Sequence, residues 1–276
     1  MSASANWAPR SNASMTEPRT AGVEPREVRE QATTGIVPRF ILDEWRDRYG
    51  IVAGITGRGH GPDRGYDLGL WTDAPVGDVM TRWREFRRAE PGFTAVVLGG
   101  QVHGAEVVWH ERVSGWLQVD GVDGHATRSP GVLLTVTIAD CIPVYLAVPA
   151  RKAVALLHAG WRGTAAGILQ RGVALLAKAA QSSAADIIMH CGVGICGECY
   201  EVGSEVLEGV GLRGDGRGPW KVDLRERLAD QAARLGIQDM TASSWCTAHH
   251  HDLFYSHRAS RGSDGRMVAY LGIPAA

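Results

Sequence analysis

The feature that most constrains the fold is a set of three apolar segments that follow one another between residues 131 and 159. They read GVLLTVTIAD, PVYLAV and AVALLHA, and each has the length and the β-branched content of a strand. Strands joined this closely cannot all run parallel, because a parallel connection needs a crossover of a dozen or more residues. The sequence therefore predicts mixed β-sheets.

Other apolar segments and helical patterns surround this stretch. Strands are also predicted at residues 94–100, 105–110, 186–194 and 266–273, and helices at 77–88, 164–180 and 223–235. Together they predict an α/β fold, or α+β with mixed sheets, in which layered β-sheets are flanked by helices.

The first 36 residues have a different composition. They are rich in Ser, Ala, Pro, Glu and Arg, and Trp7 is their one aromatic residue. Such a segment buries too little apolar surface to offset its ordering entropy, so residues 1–36 are predicted to be a disordered tail. No repeat or second change of composition follows, which predicts a single domain over residues 37–276.

Composition also restricts the class of function. The 276 residues include 29 basic and 30 acidic ones, for a net charge of −1. This balance argues against nucleic-acid binding through a global positive field, while a local anion pocket fits it. No apolar run reaches the length of a membrane span, and the first residues lack the apolar core of a signal peptide. With five cysteines in no dense pattern, we expect free thiols and a cytoplasmic protein.

Two of the apolar segments are predicted to form a hairpin that carries a thiol and an imidazole. If PARK is a tight turn, Pro143 faces His158 and Cys141 faces Gly160. Cys141 and His158 then share one sheet face as diagonal neighbours, roughly 7–8 Å apart. They could act as a nucleophile with its base, or as two metal ligands with His103 of GGQVHGAE as a third. A buried thiol and a core histidine without chemistry are the alternative.

Charged residues near these segments suggest an anion site. Arg162 follows His158 in AGWRGT, where a strand turns into a helix and free N–H groups favour phosphate or carboxylate. Arg58, in the glycine-rich ITGRGHG, is a candidate second anion contact, although the segment lacks the ending of a phosphate loop. Asp140 could orient a ligand imidazole, or could simply be a charge at a strand end.

Five segments together resemble the YfiH/YlmD family. They are QVHG (101–104), ADCIPV (139–144), HAGWRG (158–163), GVGICGECYEVG (192–203) and FYSHRASRGSDGR (254–266). The family was long labelled multicopper polyphenol oxidase or laccase domain, and its members are described as purine nucleoside phosphorylases. The resemblance covers about residues 50–273.

The resemblance implies one zinc ion bound by His103, Cys141 and His158, with an open position for water. Cys141, His158 and Arg162 are the implied catalytic residues. The predicted substrate contacts are Arg58, Gln101, Arg162 and Cys199. The implied activities are phosphorolysis of adenosine, inosine, guanosine and methylthioadenosine, and deamination of adenosine. The implied partners are small molecules, a purine nucleoside and phosphate, with no nucleic acid and no membrane; no oligomeric state is predicted.

Other hypotheses remain open at this stage. They are a peptidoglycan-editing amidase acting on a muramyl precursor, a metal-free dyad of Cys141 and His158, a copper-dependent polyphenol oxidase, and a binding module without turnover. Copper is less favoured than zinc because multicopper oxidases use paired H-x-H motifs. Only His249 and His251 form such a motif in this chain.

Two further groups of residues resemble metal motifs. The spacing C-x4-C-x2-C with a distant fourth cysteine is that of a plant-type ferredoxin, and its members here are Cys191, Cys196, Cys199 and Cys246. Because Cys191 ends a strand pattern, no iron–sulfur cluster is predicted. The segment AHHHD (248–252) is predicted to be a solvated loop, with His250 or His257 at the rim of the pocket.

Overall fold

A computed structural model describes residues 13–15, 24–59, 65–214 and 216–275. Its strands are β1 (Ala13–Met15), β2 (Arg26–Val28), β3 (Gln31–Ala32), β4 (Arg39–Ile41), β5 (Val52–Thr56), β6 (Ala95–Gly100), β7 (Val107–His110), β8 (Gly115–Asp120), β9 (Gly124–Thr127), β10 (Val132–Ile138), β11 (Ile142–Val148), β12 (Ala153–Ala159), β13 (Ile188–Cys191), β14 (Glu201–Val202), β15 (Leu212–Gly214), β16 (Trp220–Lys221), β17 (Asp239–Ser243) and β18 (Met267–Gly272). Its α-helices are α1 (Asp43–Tyr49), α2 (Val76–Ala89), α3 (Trp161–Ala165), α4 (Ile168–Ala180), α5 (Ser204–Gly209) and α6 (Leu224–Leu235).

Most strands belong to two seven-stranded sheets. The first has the order β3-β4-β5-β18-β10-β6-β8, and the second has the order β2-β17-β13-β11-β12-β9-β7. Both are mixed: β10 is antiparallel to β18 and parallel to β6, and β13 is antiparallel to β11 and parallel to β17. The prediction of mixed sheets is confirmed.

The two sheets stack face to face between helices. Residues of β5, β10 and β18 pack against Tyr145 and Leu156 of the second sheet. Trp83 and Phe86 of α2 cover the outer face of the first sheet, while α4 and α6 cover the outer face of the second. Strands β11 and β12 are buried along their whole length because both of their faces are covered. The predicted layered α/β fold is confirmed.

The predicted elements occur, with shifted ends and one division. The helix predicted at 164–180 is split into α3 and α4 at Gly167, whose φ of 82° is outside the helical region. The pattern missed the other elements, which are β1 to β5, β8, β9, β14 to β17, α1 and α5. Strand β8 is half-exposed at a sheet edge, and β9 buries His125 and Thr127, so neither shows a continuous apolar run.

The predicted disordered tail is wrong for residues 26–32. Strand β2 pairs with β17 and β3 pairs with β4, which adds this segment to both sheets. Glu30 is buried, with one carboxylate oxygen 2.9 Å from His190 Nε2 and the other accepting from the Ser243 hydroxyl at 2.7 Å. Polar pairing with distant strands orders the segment, and composition alone does not reveal it. Residues 1–12 and 16–23 lie outside the described residues.

The helices are short and carry charged residues. Within the described ranges, none combines the length and the apolar composition that crossing a bilayer requires.

Candidate metal-binding active site

The predicted hairpin register is confirmed. Strands β11 and β12 pair antiparallel with Pro143 opposite His158, and a single 3-10 turn at Pro149–Arg151 connects them. Cys141 precedes β11 and lies beside Gly160, where an added Cβ would come 2.9 Å from the Cys141 sulfur. The thiol and the imidazole therefore meet at the open end of the hairpin.

Three donor side chains converge there. The ligating atoms of His103, Cys141 and His158 all lie within 4.8 Å of one another, and the two imidazole rings are 4.9 Å apart between centroids. His158 is buried, Cys141 is half-buried and His103 is exposed. Three protein donors with one exposed side are the pattern of a catalytic zinc site, which keeps a position open for water or substrate.

The topology explains why residues so distant in sequence meet. The first sheet contributes β6 and β10, and the second sheet contributes β7, β11 and β12. His103 lies on the connection from β6 to β7, and Cys141 lies on the connection from β10 to β11. Both connections pass from one sheet to the other at the same end of the stack. Strand β12 also ends there, and His158 is its second-to-last residue.

Asp123, on the connection from β8 to β9, holds this arrangement together. Its carboxylate accepts backbone N–H groups of Val102, His103 and Gly104 at 2.8–3.0 Å. The oxygen Oδ1 also lies 2.8 Å from His158 Nδ1. One buried carboxylate thus fixes the left-handed backbone of His103, at φ 59°. It also leaves Nε2 of His158 as the ring nitrogen that can bind a metal.

Electrostatics favour the ligating form of the thiol. Burial by itself would raise the pKa of Cys141, but the charge of His158 and hydrogen bonds with His103 and His158 lower it to about 6. Burial opposes protonation of His158, but the charge of Cys141 and the hydrogen bond with Asp123 raise its pKa to about 9. Without metal, thiolate and imidazolium stabilise each other; the thiolate is the form that binds metal.

Asp140 has a role other than the two suggested for it, which were to orient a ligand imidazole or to be a charge at a strand end. Its carboxylate accepts from the Thr247 hydroxyl at 2.6 Å and from the Arg258 N–H at 2.7 Å. It therefore connects two loops, whereas Asp123 orients the imidazole. Asp123 was missed because it lies in no recognised motif; its only signal in the sequence is an acidic residue between glycines, in DGVDGH.

The donors line a cavity of about 510 Å³, which is in the range of small-molecule sites. Aromatic and cationic side chains share its wall: Trp71, Trp161, Tyr200, Arg162, His257, Arg258 and Arg266. The cavity therefore offers flat apolar surfaces and positive charge next to the donor set, which suits a ligand with a planar ring and an anionic group.

Arg162 reaches this wall from the first turn of α3, as predicted. Its guanidinium stacks on Trp161 at 4.4 Å from the ring centroid and lies 3.8 Å from Glu205. The Arg162 side chain is 60% exposed, so its pairing with Glu205 is weak and leaves the guanidinium available to an anion.

The other predicted substrate contacts fit the cavity less well. Within the described ranges, the cavity lining includes neither Arg58 nor Cys199. Arg58 pairs with Asp264 at 3.1 Å and lies 2.9 Å from His251, so its charge is already compensated. Gln101 lines the cavity, but its amide binds the backbone of Thr137 at 2.7 and 3.0 Å.

A second donor group was not predicted. Cys191 is buried in the core and stands apart, but the ligating atoms of three other cysteines and one histidine lie within 4.8 Å of one another: Cys196, Cys199, Cys246 and His249. His249 is exposed, as predicted for a solvated loop, and it also belongs to this group. His257 lines the cavity, and His250 packs against Trp245 instead.

Fold and site together define a two-sheet α/β protein with a three-donor pocket between the ends of its stacked sheets. The chain belongs to the family described as multi-copper polyphenol oxidoreductase laccase, whose model matches residues 52–274.

Curated relatives carry two kinds of enzyme name. The purine nucleoside phosphorylase YlmD of Geobacillus stearothermophilus is 35% identical over 247 residues, which cover 81% of this chain and 90% of the relative. A purine nucleoside phosphorylase of Streptomyces coelicolor is 35% identical over 236 residues, which cover 82% and 92%. The adenosine deaminase RL5, from an unknown prokaryotic organism, is 32% identical over 161 residues, which cover 54% and 61%.

Solved structures share the fold. The crystal structure of YlmD from Geobacillus stearothermophilus superposes with a TM-score of 0.78 at 29% identity, covering 90% of this chain and 100% of that one. The YfiH protein of Bacillus licheniformis superposes with a TM-score of 0.75 at 25% identity, covering 85% and 96%.

Proposed function

We propose that this chain is a zinc-dependent purine nucleoside phosphorylase that also deaminates adenosine. The observation that carries the proposal is the convergence of His103, Cys141 and His158 in a cavity that Arg162 and Arg258 also line. The names of the relatives supply the reaction. The substrates would be phosphate and adenosine, inosine, guanosine or methylthioadenosine.

The donor set fits zinc. One thiolate and two imidazoles are its usual ligands, and Asp123 orients the His158 ring as a carboxylate partner does in zinc sites. When bound, zinc would supply a Lewis acid with one open coordination position. The same donors suit copper in sites with a weak axial methionine. Among the residues that the structure describes, none that lines the cavity is a methionine. A glutamine can also take the axial place, but the amide of Gln101 already binds the backbone of Thr137, which favours zinc.

Phosphorolysis asks the protein mainly to position charge. An oxygen of inorganic phosphate bonds to C1′ of the ribose as the bond from C1′ to the purine nitrogen breaks. The electron pair leaves with the purine, which takes up a proton, and the products are ribose 1-phosphate and the free base. Arg162 and Arg258 would bind the phosphate beside the ribose, and their fixed charge would favour the in-line approach of the two reactants.

Aromatic residues would hold the base. Trp161 and Tyr200 line the cavity close to Arg162, and either ring offers a stacking surface for a purine. Burial raises the pKa of Tyr200 to about 12, so its hydroxyl remains protonated at neutral pH. Tyr200 would therefore act as a hydrogen-bond donor to the substrate.

The test combines metal analysis with product detection on adenosine, with and without phosphate. We expect ribose 1-phosphate and adenine with phosphate, and inosine and ammonia without it. His103→Ala, Cys141→Ala and His158→Ala should each abolish both reactions and release one zinc ion, while the control Cys191→Ala should retain both. Full activity in Cys141→Ala protein that lacks this ion would refute the proposal.

One observation favours a second candidate, a metal-free nucleophilic dyad. The pKa of about 6 for Cys141 beside His158 also describes an activated thiolate and its base. Such a dyad would stay active after zinc removal and would be inactivated by alkylation. The zinc enzyme would lose activity on chelation and regain it with added zinc.

A further inference from the structure

The second donor group joins two loops at one edge of the second sheet. Cys196 and Cys199 follow β13, and Cys246 and His249 follow β17. Strands β13 and β17 are parallel neighbours, so their carboxyl ends lie side by side and their loops meet. The spacings are C-x2-C and C-x2-H, which are those of structural zinc sites.

We propose that Cys196, Cys199, Cys246 and His249 bind a second zinc ion whose role is structural. This site is separate from that of His103, Cys141 and His158, and it does not depend on the proposed function.

The distances suit a single ion. Tetrahedral zinc with Zn–S bonds near 2.3 Å places its sulfurs about 3.8 Å apart. All four ligating atoms here lie within 4.8 Å of one another, so small side-chain movements would complete the tetrahedron. An iron–sulfur cluster places several atoms between its thiolates and would require a wider group. Four protein donors also fill the coordination shell, which is the closed pattern of structural zinc.

Backbone N–H groups donate hydrogen bonds to the sulfur of Cys246. The Cys246 sulfur accepts the N–H of Cys196 at 3.3 Å, and it also accepts N–H groups of Ala248 and His249. The Cys196 carbonyl accepts from the N–H of Cys199 at 3.1 Å, which closes the turn between the two thiols. Such N–H donors stabilise a thiolate and hold it in place for a cation.

His249 is oriented in the same way as a zinc ligand. Its Nδ1 lies 3.7 Å from the Cys196 sulfur, and its Nε2 lies 3.8 Å from the carboxylate of Glu198. This carboxylate lies beyond hydrogen-bond distance, and a small movement of the two side chains would place it behind the imidazole as in zinc sites. The His249 side chain is 47% exposed, which gives an ion access from solvent.

The second ion would support the wall of the active-site cavity. The loop with Cys196 and Cys199 also provides Ile195 and Tyr200 to that wall. In the other loop, the hydroxyl of Thr247 binds Asp140, the neighbour of Cys141. An ion that joins the two loops would therefore hold in place both the cavity residues Ile195 and Tyr200 and the Thr247 side chain that binds Asp140.

The test is a zinc count on full-length protein purified with reductant and zinc. We expect two zinc ions per chain in the wild type, one in Cys199→Ser and His249→Ala, and one in Cys141→Ser. His249→Cys should restore two, because a fourth thiolate replaces the imidazole. Cys191→Ser is the matched control, a buried cysteine outside both groups, and should keep two.

Cys141→Ser protein also isolates the second site. X-ray absorption of its remaining zinc should show three sulfurs and one nitrogen, with Zn–S distances near 2.3 Å. A wild-type count of one that Cys199→Ser and His249→Ala leave unchanged would overturn the inference, and so would a disulfide between two of these cysteines. If instead the three-sulfur site persists in a protein without phosphorolysis, only the proposed function fails.

Discussion

Asp123 shows how much a single carboxylate can organise. It accepts three backbone N–H groups of the His103 loop and orients His158, so its position determines two of the three donors. The sequence predicted His103, Cys141 and His158 as neighbours because the hairpin register and family motifs contain them. It did not predict Asp123 or His249, since each acts through contacts with residues far away in the chain.

Replacing this carboxylate by an amide should weaken the site without removing the side chain. In Asp123→Asn, the amide NH2 group would face N–H donors and could not satisfy them all. We expect zinc affinity at the site of His103, Cys141 and His158 to fall about 10–100-fold, which is typical for loss of such a partner. Competition with a chelator would measure it. The exposed Asp120→Asn is the control, and an equal loss there would contradict this role.

Among the elements, the corner from β12 into α3 packs directly against two of the three donors. Gly160 has φ −78° and ψ 174°, which any residue can adopt, so its backbone alone does not require glycine. A Cβ there would lie 2.9 Å from the Cys141 sulfur and 3.4 Å from His103 Cδ2. The hairpin was predictable because its strands are long and apolar. The polar strands β8 and β9, which place Asp123 between them, were not.

Gly160→Ala should therefore damage the site but leave the fold. The methyl group would push the Cys141 sulfur away from His158, and we expect loss of zinc at this position and at least a tenfold loss of turnover. Circular dichroism and zinc analysis would measure the two effects. The control is Gly77→Ala in α2, where a Cβ meets nothing within 4 Å. That change should stabilise the helix by less than about 1 kcal/mol, because Gly77 lies in the first turn. Similar zinc loss in both variants would refute the argument.

At the scale of the molecule, residues 26–32 are part of the two sheets. Strands β2 and β3 extend one sheet each, and Glu30 lies between them with His190 and Ser243 as buried partners. The two stacked sheets could be predicted from the apolar segments. This attachment could not, because its stability comes from long-range polar pairing in a segment of polar composition.

Glu30→Ala should lower the free energy of unfolding by about 3–5 kcal/mol, because it removes one partner of a buried pair. Urea titration of the full-length protein would measure the change. The half-buried Glu27, on β2, provides the control: Glu27→Ala should cost less than 1 kcal/mol, as most surface changes do. Equal costs for the two variants would show that the buried pair is not special.

The connections that carry His103, Asp123 and Cys141 all cross from one sheet to the other. No fragment with only one sheet can then assemble the pocket, and a small slide of one sheet over the other would separate its donors. An ion held there ties the layers together, so the midpoint of thermal unfolding should rise with the logarithm of free metal concentration. In this architecture, metal affinity depends on how accurately the two sheets are aligned.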